Sequence, residues 1–214
     1  MKKTAVIVAG GSGVRMGTDV PKQFLHLKGK PIIWHTVQQF LYAFYDIQIV
    51  LVLPESYLKE AATYFEPAQL THIQFIAGGA TRFDSVKNGL LAVKDPGVIF
   101  VHDGVRCLVS SDLIKKCYDQ ALVKGSAIPA VTATDSIRLV SGEKHQVIDR
   151  NQVKIIQTPQ TFLSTLILPA FDQPYQDSFT DEATVVEAAG HPVHLIEGEY
   201  SNLKITRPQD LIVA

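Results

Sequence analysis

The sequence predicts an α/β fold, a mostly parallel sheet flanked by helices, from three observations. Short apolar runs at residues 5–9, 47–53, 73–77, 98–101 and 127–131 alternate with stretches whose apolar residues recur at helical spacing. The runs are apolar nearly throughout, as strands covered on both faces are. Glycines or charged residues follow several of them directly: Gly10 and Gly11, Gly78 and Gly79, His102 and Asp103. Open parallel sheets bind ligands at the carboxyl ends of their strands, so these positions are where chemistry is expected.

The elements follow in order. After residues 5–9, Gly10, Gly11 and Gly13 free the backbone for a tight turn whose N–H groups can converge on an anion. Arg15 and Lys22 come next, with Pro21 fixing the approach to Lys22, and the stretch reads as a polyphosphate loop. It is not a Walker A loop, because Thr18 follows Gly17 where that motif needs Lys. It is not a dinucleotide fingerprint either. The spacing Gly11, Gly13, Gly17 is one residue too long, and the next strand runs into Pro54 rather than an acid. Pro31 suits the first turn of a helix whose face is Ile33, Val37, Phe40, Leu41 and Phe44, with Trp34 and His35 as packing residues. Residues 55–66 read as a more polar helix, Val86, Leu90 and Val93 mark another, and residues 112–122 a further one. The rhythm then changes. Residues 136–140 and 146–149 alternate around Ser141-Gly142-Glu143-Lys144, a β-hairpin with too little apolar surface to bury itself. It reads as an arm, at about residues 133–155, that packs on a partner subunit. Thr158-Pro159-Gln160 returns the chain to the core, Thr180 is placed to cap a helix starting at Asp181-Glu182-Ala183, and 193–197 is a late strand.

With 214 residues the chain fits one domain, residues 1–214, and its 46% hydrophobic and 19% charged content is that of a globular protein. Lys plus Arg is 20 against 21 for Asp plus Glu, so overall charge points to neither a nucleic-acid nor a membrane partner, and an anion site must be local. The first residues have too short an apolar run for a signal peptide, and none approaches the roughly 18 that a membrane helix needs. Cys107 and Cys117 lack metal-ligand spacing, and a cytoplasmic location is expected.

Asp103, at a strand end, is a candidate Mg²⁺ ligand, since one carboxylate suffices when nucleotide phosphates provide the remaining oxygens. His102 beside it reads as structural. No G-x-S-x-G turn or triad is present. A phosphomonoester nucleophile, with a second pKa of about 6, needs no general base, and the barrier left is repulsion between anions.

These motifs, in order, resemble the 2-C-methyl-D-erythritol 4-phosphate cytidylyltransferase family. The likeness spans the glycine loop with Arg15 and Pro21-Lys22-Gln23, Gly78-Gly79 with Arg82 and Asp84-Ser85-Val86, His102-Asp103 with Arg106, Asp135-Ser136, Asp149-Arg150-Asn151, Thr158-Pro159-Gln160, Thr180-Asp181-Glu182-Ala183 and Lys204 to Asp210. It implies a Rossmann-like fold of the nucleotide-diphospho-sugar transferase type and transfer of CMP from CTP to a polyol phosphate. By the same resemblance Arg15 and Lys22 stabilise the reacting α-phosphate. The Ala9, Gly10, Gly11 and Gly79 backbones and Ser85 read cytosine, with Gly13 in the same loop, and Asp103 holds Mg²⁺ and the acceptor. Arg106, Ser136, Arg150, Thr158 and Lys204 grip the polyol phosphate. Ser136 and Arg150 would serve the neighbour's site in a homodimer. The chain departs from the family's usual Asp-Ala-Ala-Arg-Pro with Asp103-Gly104-Val105-Arg106-Cys107, and has Ser136 where Thr is common. Ribitol 5-phosphate is therefore kept as an alternative acceptor. A non-catalytic nucleotide-binding regulator is the alternative from another class, and the failed fingerprint disfavours a nicotinamide oxidoreductase.

Overall fold

A computed structural model describes residues 1–11 and 20–214. Gly13 and Arg15, both assigned to the phosphate loop, lie outside the described residues. Strand β1 (Lys2–Val8) is buried from Thr4 to Ile7. After the loop, a single 3₁₀ turn at Lys22–Phe24 leads through the two-residue strands β2 (His26–Leu27) and β3 (Lys30–Pro31) to helix α1 (Ile32–Ala43). Pro31 thus stands one residue before the helix, its extended backbone feeding the first turn. β4 (Gln48–Leu53) follows.

The single helix expected over residues 55–66 is instead broken. A 3₁₀ turn at Glu55–Tyr57 runs into α2 (Leu58–Ala62), and a separate α3 (Pro67–Leu70) begins afresh. Pro67 has no N–H to continue a helix but is well suited to start one, and Glu66 and Gln69 form a capping box around it. β5 (Ile73–Ala77), α4 (Arg82–Leu91), β6 (Gly97–Asp103), α5 (Ser111–Lys124) and β7 (Ser126–Thr132) then keep the expected alternation. The hairpin is β8 (Ile137–Ser141) and β9 (Lys144–Ile148). β10 (Lys154–Ile156), β11 (Gln160–Leu163), α6 (Ser164–Ala170), α7 (Glu182–Ala188), β12 (Leu195–Glu197) and α8 (Pro208–Val213) complete the chain. The cap of α7 is Asp181 rather than Thr180: its carboxylate accepts the Thr184 N–H, and the Thr184 hydroxyl accepts the Asp181 N–H.

The sheet runs in the order β10-β7-β11-β6-β1-β4-β5, with β12 beside β7. β6, β1, β4 and β5 are parallel, which gathers their carboxyl ends along one edge. β11 is antiparallel to both β6 and β7, and β10 to β7, so the sheet is mixed but mostly parallel. Alternation along β1 sorts the core. Ala5 and Ile7 join Val37, Phe40 and Phe100 under α1 and α5, while Val6 joins Val86, Leu90 and Phe162 under α4 and α6. The β8–β9 hairpin stands off this core, with Leu139, Val140 and Val147 all more than half exposed. Among the described residues no helix is long and apolar enough to cross a membrane.

Candidate active site

A cavity of about 400 Å³ opens at the carboxyl ends of β1, β5 and β6. Of the residues expected there, Ala9, Gly10, Gly11, Lys22, Gly79, Ser85, Asp103 and Lys204 line it together. The start of the glycine loop is held from below by Gln23, whose buried side-chain amide donates to the Ala9 carbonyl (2.7 Å) and the Gly11 carbonyl (3.0 Å). The 3₁₀ turn that places Gln23 also places Lys22, and Phe24 anchors it by stacking on Tyr57 with ring centroids 4.4 Å apart. The Lys22 ammonium donates to the Ile205 carbonyl at 2.9 Å, which joins the loop region to the last part of the chain.

The opposite wall is the start of α4. Thr81 caps the helix by accepting the Asp84 N–H, and Asp84 returns a bond to the Thr81 N–H. The Ser85 hydroxyl donates to the Thr81 carbonyl (2.9 Å) and accepts the Gly79 N–H (3.0 Å). A Cβ on Gly79 would lie 2.3 Å from the Asp84 Cβ, so only glycine lets the β5–α4 turn close this tightly.

Asp103, the last residue of β6, forms the floor. Arg82 reaches its Oδ1 at 3.4 Å, while Arg106 (3.3 Å) and Lys204 (2.9 Å) share Oδ2. Burial alone would raise this carboxyl. Arg82, Lys204 and Arg106 more than offset it and hold the group well below the usual carboxylate range. Arg82 is itself gripped by both oxygens of Glu182, a carboxylate only 1% exposed at the start of α7. Burial would lower the Arg82 guanidinium, but Glu182 and Asp103 raise it. Lys22, Arg82 and Lys204 thus line the cavity against Asp103 alone, with Arg106 paired to that carboxylate from outside the lining, and the cavity is one for an anionic ligand. Arg82 stood in the quoted motifs without a role, and Glu182 likewise. Their pairing spans 100 positions, and no local pattern announces it.

Behind the floor lies a buried polar layer. His102, fully buried, packs edge-on against Phe40 with centroids 5.1 Å apart. Burial, partly countered by Asp103, pushes its imidazole down to about 4. Its ring nitrogens meet the Thr158 hydroxyl (3.0 Å) and the Arg106 carbonyl (3.2 Å). Asn202 donates to the Thr158 carbonyl and accepts from Arg106, both at 2.8 Å. Gln157 and Asn202, absent from the sequence candidates, belong to this layer. Thr158 is 4% exposed and does not line the cavity. Ser136 and Arg150 are exposed on the hairpin and outside the cavity, with Arg150 donating to the Thr134 carbonyl at 2.7 Å.

For a metal, no group of three or more His, Cys, Asp or Glu side chains comes together among the described residues. Asp103 is the one carboxylate among the described residues lining the cavity. A single ionised oxygen donor suits a hard cation that arrives with most of its ligands on a triphosphate, and does not suit a permanently held ion.

Sequence and structure comparisons point to one family. The family model described as IspD, 2-C-methyl-D-erythritol 4-phosphate cytidylyltransferase, matches residues 3–214. A protein of that name from Bacteroides thetaiotaomicron is 43% identical over 212 residues, 99% of this chain and 97% of the relative. Among solved structures, that of the 2-C-methyl-D-erythritol 4-phosphate cytidylyltransferase from Thermus thermophilus is similar at a TM-score of 0.77 and 32% identity, covering 100% of this chain and 97% of that one. The corresponding Francisella tularensis structure gives 0.83 and 29%, covering 100% and 98%. With the match running almost end to end, the chain belongs to the 2-C-methyl-D-erythritol 4-phosphate cytidylyltransferase family.

Proposed function

We propose that the protein transfers CMP from CTP to 2-C-methyl-D-erythritol 4-phosphate, releasing pyrophosphate, in isoprenoid biosynthesis. The observation that carries this is the convergence of Arg82, Arg106 and Lys204 on the buried Asp103 carboxylate, with Lys22 lining the same cavity, at the edge where the parallel strands end. An acceptor phosphate oxygen forms the new bond to the α-phosphorus of CTP while the bond from that phosphorus to the bridging α,β oxygen breaks. The electron pair leaves with pyrophosphate. The nucleophile is already an anion, so no side chain need remove a proton. What the protein contributes is position and positive charge.

Each side chain has a share in this. Lys22 faces the triphosphate and offsets the charge that builds on the leaving group, a role that the family resemblance also gives Arg15. Ala9, Gly10, Gly11 and Gly79 present backbone to the nucleotide, Gly13 is assigned to the same loop by the resemblance alone, and Ser85 fixes the Gly79 amide beside the base. Arg106 and Lys204 hold the acceptor phosphate. Asp103 would hold a magnesium ion together with the phosphates, and magnesium, when bound, supplies neutralisation of their charge.

The hairpin completes the site from a second copy of the chain. Its exposed Leu139, Val140 and Val147 need a cover, and Ser136 and Arg150 stand at its base as hydroxyl and cation for an acceptor phosphate in the neighbour's cavity. We place the enzyme in the cytoplasm, where its two buried free thiols stay reduced.

The deciding experiment is magnesium-dependent pyrophosphate release from CTP, with 2-C-methyl-D-erythritol 4-phosphate and D-ribitol 5-phosphate compared as acceptors. Strong preference for the first is expected. Preference for ribitol phosphate, or release with neither, would overturn the assignment. In the same assay Lys22→Ala should lower turnover by about 10²–10³-fold. Activity within a few-fold of the parent would remove Lys22 from the chemistry.

A further inference from the structure

We propose that His102 and Thr158 are positioning residues that lock the turn carrying Asp103 and Arg106, through a one-way chain of hydrogen bonds from one end of that turn to the other. Residues 103–106 form a turn closed by the Arg106 N–H donating to the Asp103 carbonyl at 3.0 Å. The Asp103 N–H and the Arg106 carbonyl face outside this bond, the carbonyl also accepting the Val109 N–H at 3.3 Å. The Asp103 N–H donates to the Thr158 hydroxyl oxygen at 3.1 Å. That oxygen lies 3.0 Å from Nδ1 of His102, and Nε2 of the same ring lies 3.2 Å from the Arg106 carbonyl.

The direction of every bond follows from what each group can do. A carbonyl only accepts, so Nε2 carries a hydrogen. In a neutral ring Nδ1 is then bare, and the Thr158 hydroxyl donates to it while accepting from Asp103. An imidazolium would aim a second N–H at the Thr158 oxygen and leave the buried hydroxyl hydrogen without an acceptor, a costly arrangement. The Nε2–H tautomer satisfies all four groups. Asn202 ties the same segments a second time, from the Thr158 carbonyl to the Arg106 guanidinium.

The consequence concerns Thr158. Its one hydroxyl hydrogen is spent on His102, and a dianionic phosphate needs donors. Thr158 therefore acts on the acceptor through Asp103 and Arg106 and does not grip it directly. This rests on the reading that Asp103 and Arg106 meet the acceptor, and its test separates the two.

The first measurement is ¹⁵N NMR of the histidine-labelled full chain at neutral pH, which needs no substrate. Expected for His102 is a pyrrole-like Nε2 and a pyridine-like Nδ1. An Nδ1–H tautomer or an imidazolium overturns the chain whatever reaction the enzyme performs. The second is a double-mutant cycle in acceptor kcat/KM. Thr158→Val and His102→Phe should each lower it about tenfold, mostly through acceptor KM, with the KM for CTP within about twofold. Together they should cost little more than the larger single change, because one broken link opens the whole chain. Thr158→Ser should recover most of what Thr158→Val loses. Losses that multiply to roughly a hundredfold would make Thr158 a direct ligand and overturn the inference. Should either variant fail to fold, the tautomer measurement still decides. If the unaltered protein releases no pyrophosphate with any acceptor, the functional reading fails while the tautomer result stands by itself.

Discussion

Asp103 is a carboxylate that burial would neutralise and three cations keep charged, so the residues that carry those cations are coupled through it. The residue after it is the more telling one. Gly104 donates its N–H to the Val8 carbonyl at 2.9 Å and accepts the Thr36 hydroxyl at 2.9 Å, which brings the turn hard against β1 and α1. A Cβ there would come within 2.7 Å of Ile33 Cδ1 and 2.8 Å of the Ala9 Cβ. Gly104→Ala, the residue usual at this place in the family, should therefore destabilise this chain by about 1–3 kcal/mol. That is roughly 2–10 °C in a thermal melt of a chain this size. An unchanged melt would show that Ile33 yields without cost. Cys107, where the family usually has proline, is 2% exposed among Ile32, Val105 and Ile205, and burial pushes its thiol up to about 11. It serves as a small apolar residue in that cluster.

Among the elements, α4 forms one wall of the cavity through Thr81, Arg82 and Ser85, and its start shows what sequence could and could not tell. The helix itself was legible from Val86 and Leu90 at helical spacing, as were the five parallel or core runs from their continuous apolar character. Its cap was not singled out, although Thr81 and Asp84 stand three apart as a capping box requires. Thr81→Ala should cost about 1 kcal/mol, a fall of roughly 2–4 °C, and weaken CTP binding several-fold as the Gly79 amide loses its fixed setting. Calorimetric titration with unchanged affinity would detach the cap from nucleotide binding. β11 escaped notice because four residues beginning with Gln160 give too short a pattern to separate from the motif around them. The stretch 55–66, which reads as one polar helix, is α-helical only over Leu58–Ala62, and the next helix starts beyond it at Pro67. Arg82 and Glu182 were visible as motif residues. Their pairing was not, because two helix starts meet only once the sheet has brought α4 and α7 to the same edge.

At the scale of the whole molecule the cavity is only part of the proposed site. Ser136 and Arg150 stand on an exposed hairpin and do not line the cavity of their own chain. If the hairpin serves a neighbour, subunits damaged in different places should repair one another. In a dimer of a Lys22→Ala chain with an Arg150→Ala chain, one of the two sites would receive an intact lysine and an intact arginine. Random mixing should then restore about a quarter of the parent activity, since half of the dimers are mixed and each has one sound site. Verified mixed dimers no more active than the separate variants would confine each site to one chain.

The bond from Lys22 to the Ile205 carbonyl spans 183 positions and, with Lys204 on Asp103, draws two distant segments to one cavity. The charged wall of the cavity is therefore written in two distant stretches of sequence, and neither stretch holds it alone.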